Sequence, residues 1–157
     1  MAHSVAPVRK HPDDSDFYTL PMIHDVATNI YVDDSFDIAV YLDQTYPLSG
    51  SRLFPPDSID IHRVFNAHVD ALFSRHVILS TEGIPFNPET AEASKTEFAR
   101  RVDVSDWDDL VIQGEARLKM IEDFKAELKE FAKLYQYDND PFLEGETMSN
   151  ADIIVDD

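Results

Sequence analysis

The chain has 157 residues, 43% of them hydrophobic, which is enough apolar sequence for one ordinary domain or two small ones. It contains no cysteine, which excludes disulfides, thiolate metal sites and a cysteine nucleophile within this chain. The formal net charge is −18, so we expect neither nucleic acid nor an anionic membrane as a partner, because both require clustered Lys and Arg. No apolar run could span a bilayer and no secretory signal begins the chain, so we expect a cytoplasmic protein.

The N-terminal part is predicted to be a loop followed by a β-hairpin. Residues 1–16 are polar and contain two prolines, which is typical of a loop. The stretch FYTLPMIHD and the shorter IYV are rich in strand formers, and Asp25 and Asn29 between them favour a turn. Because proline cannot donate a hydrogen bond to a sheet, Pro21 must lie in a turn or at the start of its strand.

A helix is predicted from Ser35 to Tyr46, where apolar residues recur at helical spacing and Pro47 follows. Its start has an unusual composition, because Asp33 and Asp34 come directly before Ser35. Ser35 is either a simple N-cap, or the unpaired amides of this helix start bind the carboxylate of a ligand. The local pattern alone leaves both interpretations open.

After a segment rich in Pro, Gly and Ser, the sequence is predicted to be helical throughout. Apolar periodicity indicates helices over residues 58–80, 90–104 and 105–137, the last with Ser105 as N-cap. Three histidines in the first of these helices lack the spacing of a metal site, which favours structural or surface roles: His62, His68 and His76. An aromatic stripe is predicted to belong to the core or to the wall of a site for a hydrophobic substrate: Trp107, Phe124 and Phe131.

The C-terminal stretch MSNADI carries a complete helix-start signal. Ser149 is the predicted N-cap with Asp152 at N3 as a capping box, and Met148 and Ile153 are spaced as a hydrophobic staple. Only about two turns of helix can follow before Asp157, and so short a helix is marginal alone. We therefore expect a truncated chain.

Four motifs, in order, resemble those of the cytosolic glutathione S-transferase family, in particular its fungal branch: YTLPMI, DDSFDIAVYLDQTYP, SRLFPPD and PFLEGETMSNADIIV. The resemblance covers roughly residues 9–157. It implies a fold of the α+β or mainly α class, with a partial thioredoxin-like domain (β-hairpin plus helix) over residues 1–47. A linker over 48–56 and an incomplete all-helical domain over 57–157 complete this organisation.

The resemblance also implies glutathione as co-substrate and assigns residues to it. Leu20 would bind the cysteinyl backbone through its main chain, next to a cis peptide bond at Pro21. The helix start and the hydroxyl of Ser35 would hold the γ-glutamyl carboxylate, and Asp34 would position the γ-glutamyl amine. No metal is implied.

Two cations near the N-terminus, Arg9 and Lys10, are candidates for the glycyl carboxylate of glutathione. A role as solvated loop charges is an equally good interpretation. The family's catalytic Ser, Tyr or Cys lies on a segment that has no counterpart here, so the resemblance implies a fragment and no catalytic residue is assigned.

Two functions follow from these expectations. In the first, the chain derives from a detoxifying enzyme that conjugates glutathione to a hydrophobic small molecule, with a homodimer possible. In the second, it is a non-catalytic binding or regulatory module of the same fold. Whether the chain is an enzyme stays open at this point. An unrelated acidic helical adaptor is disfavoured by the four ordered motifs.

Overall fold

The computed structural model describes residues 9–10, 14, 16–17, 20–135 and 141–156, and its elements follow one another as strands first and helices afterwards. The strands are β1 (Arg9–Lys10), β2 (Asp16–Phe17), β3 (Met22–Asp25) and β4 (Ile30–Asp33). The α-helices are α1 (Ser35–Thr45), α2 (Ile59–Ser74), α3 (Ala91–Arg101), α4 (Gly114–Phe131) and α5 (Asn150–Asp156). Single 3₁₀ turns occur at Val77–Leu79, Thr81–Gly83, Trp107–Leu110 and Ala132–Tyr135. None of the helices in these ranges has the length and apolar content to cross a membrane.

The predicted hairpin is confirmed. Strands β3 and β4 are antiparallel, with Met22 opposite Asp33 at one end and Asp25 opposite Ile30 at the other. In the turn, the Asp25 carboxylate accepts a hydrogen bond from the amide of Ala27 at 2.9 Å, and Asn29 adopts a positive φ of 57°, as Asp and Asn do in turns. The peptide bond between Leu20 and Pro21 is cis, as the family resemblance implied.

A second antiparallel pair joins β1 to β2, with Arg9 opposite Phe17. The prediction of a loop over residues 1–16 is therefore wrong at Arg9, Lys10 and Asp16. Two-residue strands are too short to show the alternation on which strand prediction depends. Parts of three predicted elements lie outside the described residues: 1–8, 11–13 and 15 of the loop, 18–19 of the first strand, and 136–137 of the last long helix.

The described residues up to Ala67 form one compact unit together with those of 141–156. Its centre is Phe54, which is only 1% exposed. The ring of Phe54 meets Phe36 of α1 edge-on at 5.6 Å and His62 of α2 at 5.1 Å. The segment between α1 and α2 is thus anchored by one large aromatic side chain.

Asp43 fixes the end of α1 to this segment. Its buried carboxylate accepts hydrogen bonds from the Leu53 amide at 2.7 Å and from Nε of Arg52 at 3.1 Å. The carbonyl of Leu53 in turn accepts from the amide of Asn150 at 2.8 Å. Hydrogen bonds therefore connect α1 to the start of α5 through Leu53.

The predicted N-cap at Ser149 is confirmed for α5, whereas the hydrophobic staple of Met148 and Ile153 stays a prediction. Ser149 precedes the helix, its hydroxyl accepts from the Ala151 amide at 3.2 Å, and Asp152 accepts from the Ser149 amide at 2.9 Å. Asp152 also accepts from the amide of Leu143 at 2.8 Å. One carboxylate therefore caps the helix and fixes the preceding loop.

The described residues 68–135 form a second compact unit. Trp107 is buried and is met edge-on by Phe86 at 4.9 Å and by Phe98 at 5.4 Å. The hydroxyl of Thr81, which is also buried, donates to the carbonyl of Leu110 at 2.8 Å. With Phe131 buried as well, a core position is confirmed for Trp107 and Phe131 of the predicted aromatic stripe.

The single long helix predicted over residues 105–137 is wrong. The 3₁₀ turn that contains Trp107 is capped by Asp106, not Ser105, and an extended stretch separates it from α4. Gly114 begins α4 with a φ of 61°, a conformation that glycine adopts at little cost. The two apolar segments follow one another in nearly the same helical phase, so the apolar periodicity carries no sign of the break between them. The helix predicted over 58–80 likewise ends at Ser74 and gives way to 3₁₀ turns.

Among the described residues, a hairpin and α1 are followed by helices alone, which is the predicted α+β or mainly α order. The predicted domain limits at 47 and 57 stay a prediction.

Candidate functional site

The start of α1 is capped by Asp34. Its Oδ1 atom accepts a hydrogen bond from the Phe36 amide at 3.0 Å, and its backbone has a positive φ of 69°. Ser35 is therefore the first helical residue, and the interpretation of Ser35 as the N-cap, one of the two left open by the sequence, is wrong. The physical reason is that Asp is as good a cap as Ser and also tolerates a positive φ.

With Asp34 as the cap, the hydroxyl of Ser35 has no capping role. The side chain is exposed and makes no hydrogen bond to another described residue. The first amides of a helix lack partners within the helix and lie at the positive end of its dipole. Ser35 thus presents a hydroxyl beside a group that attracts anions.

The cis-proline segment and the start of α1 lie at the same end of the hairpin. Met22 and Asp33 are the last paired residues, so Pro21 and Asp34 are the next residues on their two strands. Leu20 is 91% exposed. The strand register therefore brings together four of the six predicted site residues: Leu20, Pro21, Asp34 and Ser35.

The two predicted cations lie on the other sheet. Arg9 and Lys10 form β1, which pairs with β2. Nζ of Lys10 lies 3.3 Å from Oδ1 of Asp14, and both side chains are exposed. Nothing in these contacts joins either residue to the four at the end of the β3–β4 hairpin.

One contributor to this helix start was missed by the sequence analysis. Nη2 of Arg63, on α2, lies 3.0 Å from Oδ1 of Asp37, and the guanidinium lies 4.7 Å from the centre of the Phe36 ring. Asp37 and Arg63 are far apart in sequence, and no local motif connects them. The only available signal was that Arg63 is the single Arg or Lys residue of α2.

The C-terminal half of α1 is tied to the hairpin turn by two tyrosines. The hydroxyls of Tyr41 and Tyr46 donate to Oδ2 of Asp25 at 2.6 and 2.5 Å. These hydrogen bonds hold the pKa of Asp25 well below its usual range. The same carboxylate raises the pKa of Tyr46 to about 12. The hairpin and α1 are therefore held together at the end opposite the cis-proline.

The described residues contain no group of three or more His, Asp or Glu side chains arranged to hold a metal ion. His62 is buried, with Nε2 2.9 Å from Oε2 of Glu144 in a direction unsuited to a hydrogen bond. His76 is also buried, with Nε2 3.4 Å from Oε2 of Glu127. Each of these two histidines also packs against a phenylalanine ring.

Two grooves lie on the second unit. One, of about 630 Å³, is lined by charged and polar residues of α3 and the stretch after it. The other, of about 620 Å³, is lined mainly by residues 79–85 and by Arg117, whose Nη2 donates to the Leu79 carbonyl at 3.0 Å. Neither groove contains a residue of the predicted glutathione site.

No protein-family model and no curated protein matches the sequence, but solved structures match the fold. A glutathione S-transferase of Ceriporiopsis subvermispora, solved in complex with glutathione, has a TM-score of 0.79 and 28% identity, covering 95% of this chain and 60% of that one. A glutathione transferase of Phanerochaete chrysosporium has a TM-score of 0.67 and 27% identity, covering 95% and 59%.

A second transferase of Ceriporiopsis subvermispora, also in complex with glutathione, has a TM-score of 0.72 but only 22% identity, covering 92% of this chain and 59% of that one, and so supports the fold alone. The chain spans about 60% of the length of the first matched structure. The hairpin, α1 and the later helices thus correspond to a partial thioredoxin-like domain followed by the all-helical domain of these fungal proteins. These structural neighbours support the assignment of the chain to the glutathione S-transferase family.

Proposed function

We propose that this chain binds glutathione at the cis-proline end of the hairpin and the start of α1. The observation that carries the proposal is the register of β3 and β4, in which Pro21 and Asp34 directly follow the last pair. Two of the matched transferases were solved in complex with glutathione, which supports the choice of ligand.

The γ-glutamyl end of glutathione suits the helix start. Its carboxylate would accept hydrogen bonds from the first amides of α1 and from the exposed hydroxyl of Ser35. The carboxylate of Asp34 is held beside this position by its bond to the Phe36 amide, and it would attract the γ-glutamyl amine. The start of α1 thereby offers hydrogen-bond donors to the carboxylate of the γ-glutamyl end and a carboxylate to its amine.

The cysteinyl part of glutathione suits the main chain of Leu20. An extended peptide can add to the edge of a strand through backbone hydrogen bonds, and the exposed Leu20 precedes β3. For the glycyl carboxylate, Arg9 and Lys10 remain the proposed cations, although Asp14 competes for Lys10.

The reaction proposed for the whole protein is conjugation. The glutathione thiolate would form a bond from sulfur to an electrophilic carbon of a hydrophobic molecule, and a halide or similar leaving group would depart with the bonding electrons. Such catalysis requires a group that lowers the pKa of the thiol, and no described residue is assigned to it. The second candidate, a module that binds glutathione without conjugating it, needs only the residues named above. A cytoplasmic location and a homodimer are part of the enzyme proposal.

The binding proposal is tested by titrating the ¹⁵N-labelled chain with glutathione and recording backbone amide shifts. We expect saturable shifts at Leu20, Met22 and Ser35. Replacement of Ser35 by Ala should weaken binding about three- to tenfold, the usual net effect of losing one hydrogen bond. Ser49→Ala is the matched control, because Ser49 is exposed and its hydroxyl donates only to the Tyr46 carbonyl. Shifts confined to other parts of the chain, or none, would reject the proposal.

Conjugation is tested separately with an aryl halide. Turnover that depends on Ser35 would favour the enzyme. Saturable binding without turnover would favour the non-catalytic module.

A further inference from the structure

The start of α1 is crowded with negative charge. Asp33, Asp34 and Asp37 all lie within two residues of Ser35 in the sequence, in a chain whose net charge is −18. Each carboxylate repels an anion that approaches the first amides of the helix, and such repulsion acts strongly at a few ångströms. The dipole of one helix end is equivalent to only about half a positive charge. A carboxylate ligand therefore needs additional positive charge near this point.

Arg63 supplies that charge from the next helix. Its Nη2 atom lies 3.0 Å from Oδ1 of Asp37, and its guanidinium lies 4.7 Å from the centre of the Phe36 ring. Phe36 is itself buried against Phe54. Arg63 thus contacts both residues that follow Ser35, and its side chain remains 54% exposed.

We propose that Arg63 is a positioning residue of the glutathione site, which it serves by neutralising Asp37 at the helix start. This inference rests on the proposed function, because it assumes that the γ-glutamyl carboxylate binds beside Ser35. Arg63 acts through Asp37 and Phe36 and does not itself contact the ligand. Its effect is to reduce the electrostatic repulsion between the acidic start of α1 and an anionic ligand.

A purely structural role makes a different prediction. If the ion pair only held the first turn of α1 in place, loss of either partner would weaken binding equally. If Arg63 compensates charge, loss of Asp37 removes the repulsion as well as the ion pair. Asp37→Asn should then leave binding unchanged or tighter, while Arg63→Ala weakens it.

The experiment measures glutathione affinity by calorimetry for the full chain and its variants. We expect Arg63→Ala to bind about three- to tenfold more weakly. Asp37→Asn and the double variant Arg63→Ala/Asp37→Asn should remain within about twofold of the original affinity or bind more tightly. The effect of Arg63→Ala should shrink as the ionic strength rises, since salt screens exposed charges.

Arg52→Ala is the matched control. Arg52 pairs with Asp43 at 3.0 Å and its side chain is 56% exposed, so the same charge is removed with similar exposure. Asp43 lies about 12 Å along α1 from Ser35, from the rise per residue of a helix. Arg52→Ala should therefore change glutathione affinity by less than about twofold. If circular dichroism shows that Arg63→Ala does not fold, Arg63→Lys is measured in its place. Because Arg63→Lys keeps the positive charge, it should retain most of the affinity for glutathione.

Equal weakening by Arg63→Ala and Asp37→Asn, or equal weakening by Arg63→Ala and Arg52→Ala, would overturn the role of Arg63. Either result leaves the glutathione site intact if Ser35→Ala still reduces affinity. Failure of the unaltered chain to bind glutathione would instead reject the proposed function, and this inference with it. A glutathione analogue without the γ-glutamyl α-carboxylate should bind weakly and without dependence on Arg63; a full dependence on Arg63 would also contradict the inference.

Discussion

Replacement of Phe54 by Ala is expected to be among the most destabilising single changes in the first unit. Phe54 is 1% exposed and meets the rings of Phe36 and His62 edge-on. Truncation of a buried phenylalanine to alanine costs about 3–5 kcal/mol, through lost transfer free energy and the cavity left behind. That range includes the loss of both aromatic contacts. A typical domain is stable by only about 5–15 kcal/mol, so the variant should lose a large share of its stability.

The assay is urea unfolding followed by far-UV circular dichroism, with the free energy of unfolding extrapolated to water. Phe54→Leu retains most of the apolar volume and should cost about 1–2 kcal/mol. Leu48→Ala is the matched control, because Leu48 lies between α1 and α2 as well but is 98% exposed. It should change stability by no more than about 0.5 kcal/mol. A loss of less than about 1 kcal/mol for Phe54→Ala would refute the claim that Phe54 anchors this unit.

Three further predictions concern polar contacts. Asp43→Ala removes the acceptor of the Leu53 amide and should lower the free energy of unfolding by about 1–3 kcal/mol in urea titrations; an unchanged midpoint would contradict this. Asp152→Ala removes the acceptor of two backbone amides and should lower the free energy of unfolding by about 1–2 kcal/mol. A loss as small as that for replacing an exposed aspartate would show that the cap is dispensable. Hydrogen bonds from Arg100 and Arg101 lower the pKa of Glu97 from 4.5 to about 2. These contacts therefore favour the folded state above pH 4.5, and their contribution is lost as the pH falls toward 2. Carbon-detected NMR titration should show this low pKa, and replacing both arginines with Gln should return it toward its ordinary value; a pKa already near 4.5 in the unaltered chain would be evidence against the pairing.

The elements that the sequence predicted well carry strong local chemistry. The hairpin was recognisable because Asp25 and Asn29 favour a turn between two short β-rich runs. The start of α5 was recognisable because Ser149 and Asp152 are spaced as a capping box. In the structure, Asp152 accepts from the Ser149 amide, and the Ser149 hydroxyl accepts from the Ala151 amide. In each case, neighbouring residues supply the interaction that defines the element.

The elements that were predicted wrongly depend on competition or on distant contacts. Asp34 and Ser35 are both good caps, and which of them fills that position is decided by a positive φ that the sequence does not display. The break before Gly114 separates two apolar segments of similar phase. Arg63 reaches the candidate site only through the packing of α2 against α1. Four of the six predicted site residues share one end of the hairpin, whereas the roles assigned to all six stay predictions.

The hydrogen bond between the Asn150 amide and the Leu53 carbonyl has a consequence for synthesis on the ribosome. Translation adds about 5–20 residues per second, so the donor is made roughly 5–20 s after the acceptor. During that interval, residues 68–135 have all been synthesised and can form their own local contacts. We therefore expect the first unit to be completed after the second, with the nascent segment around Leu53 open to chaperones until α5 emerges.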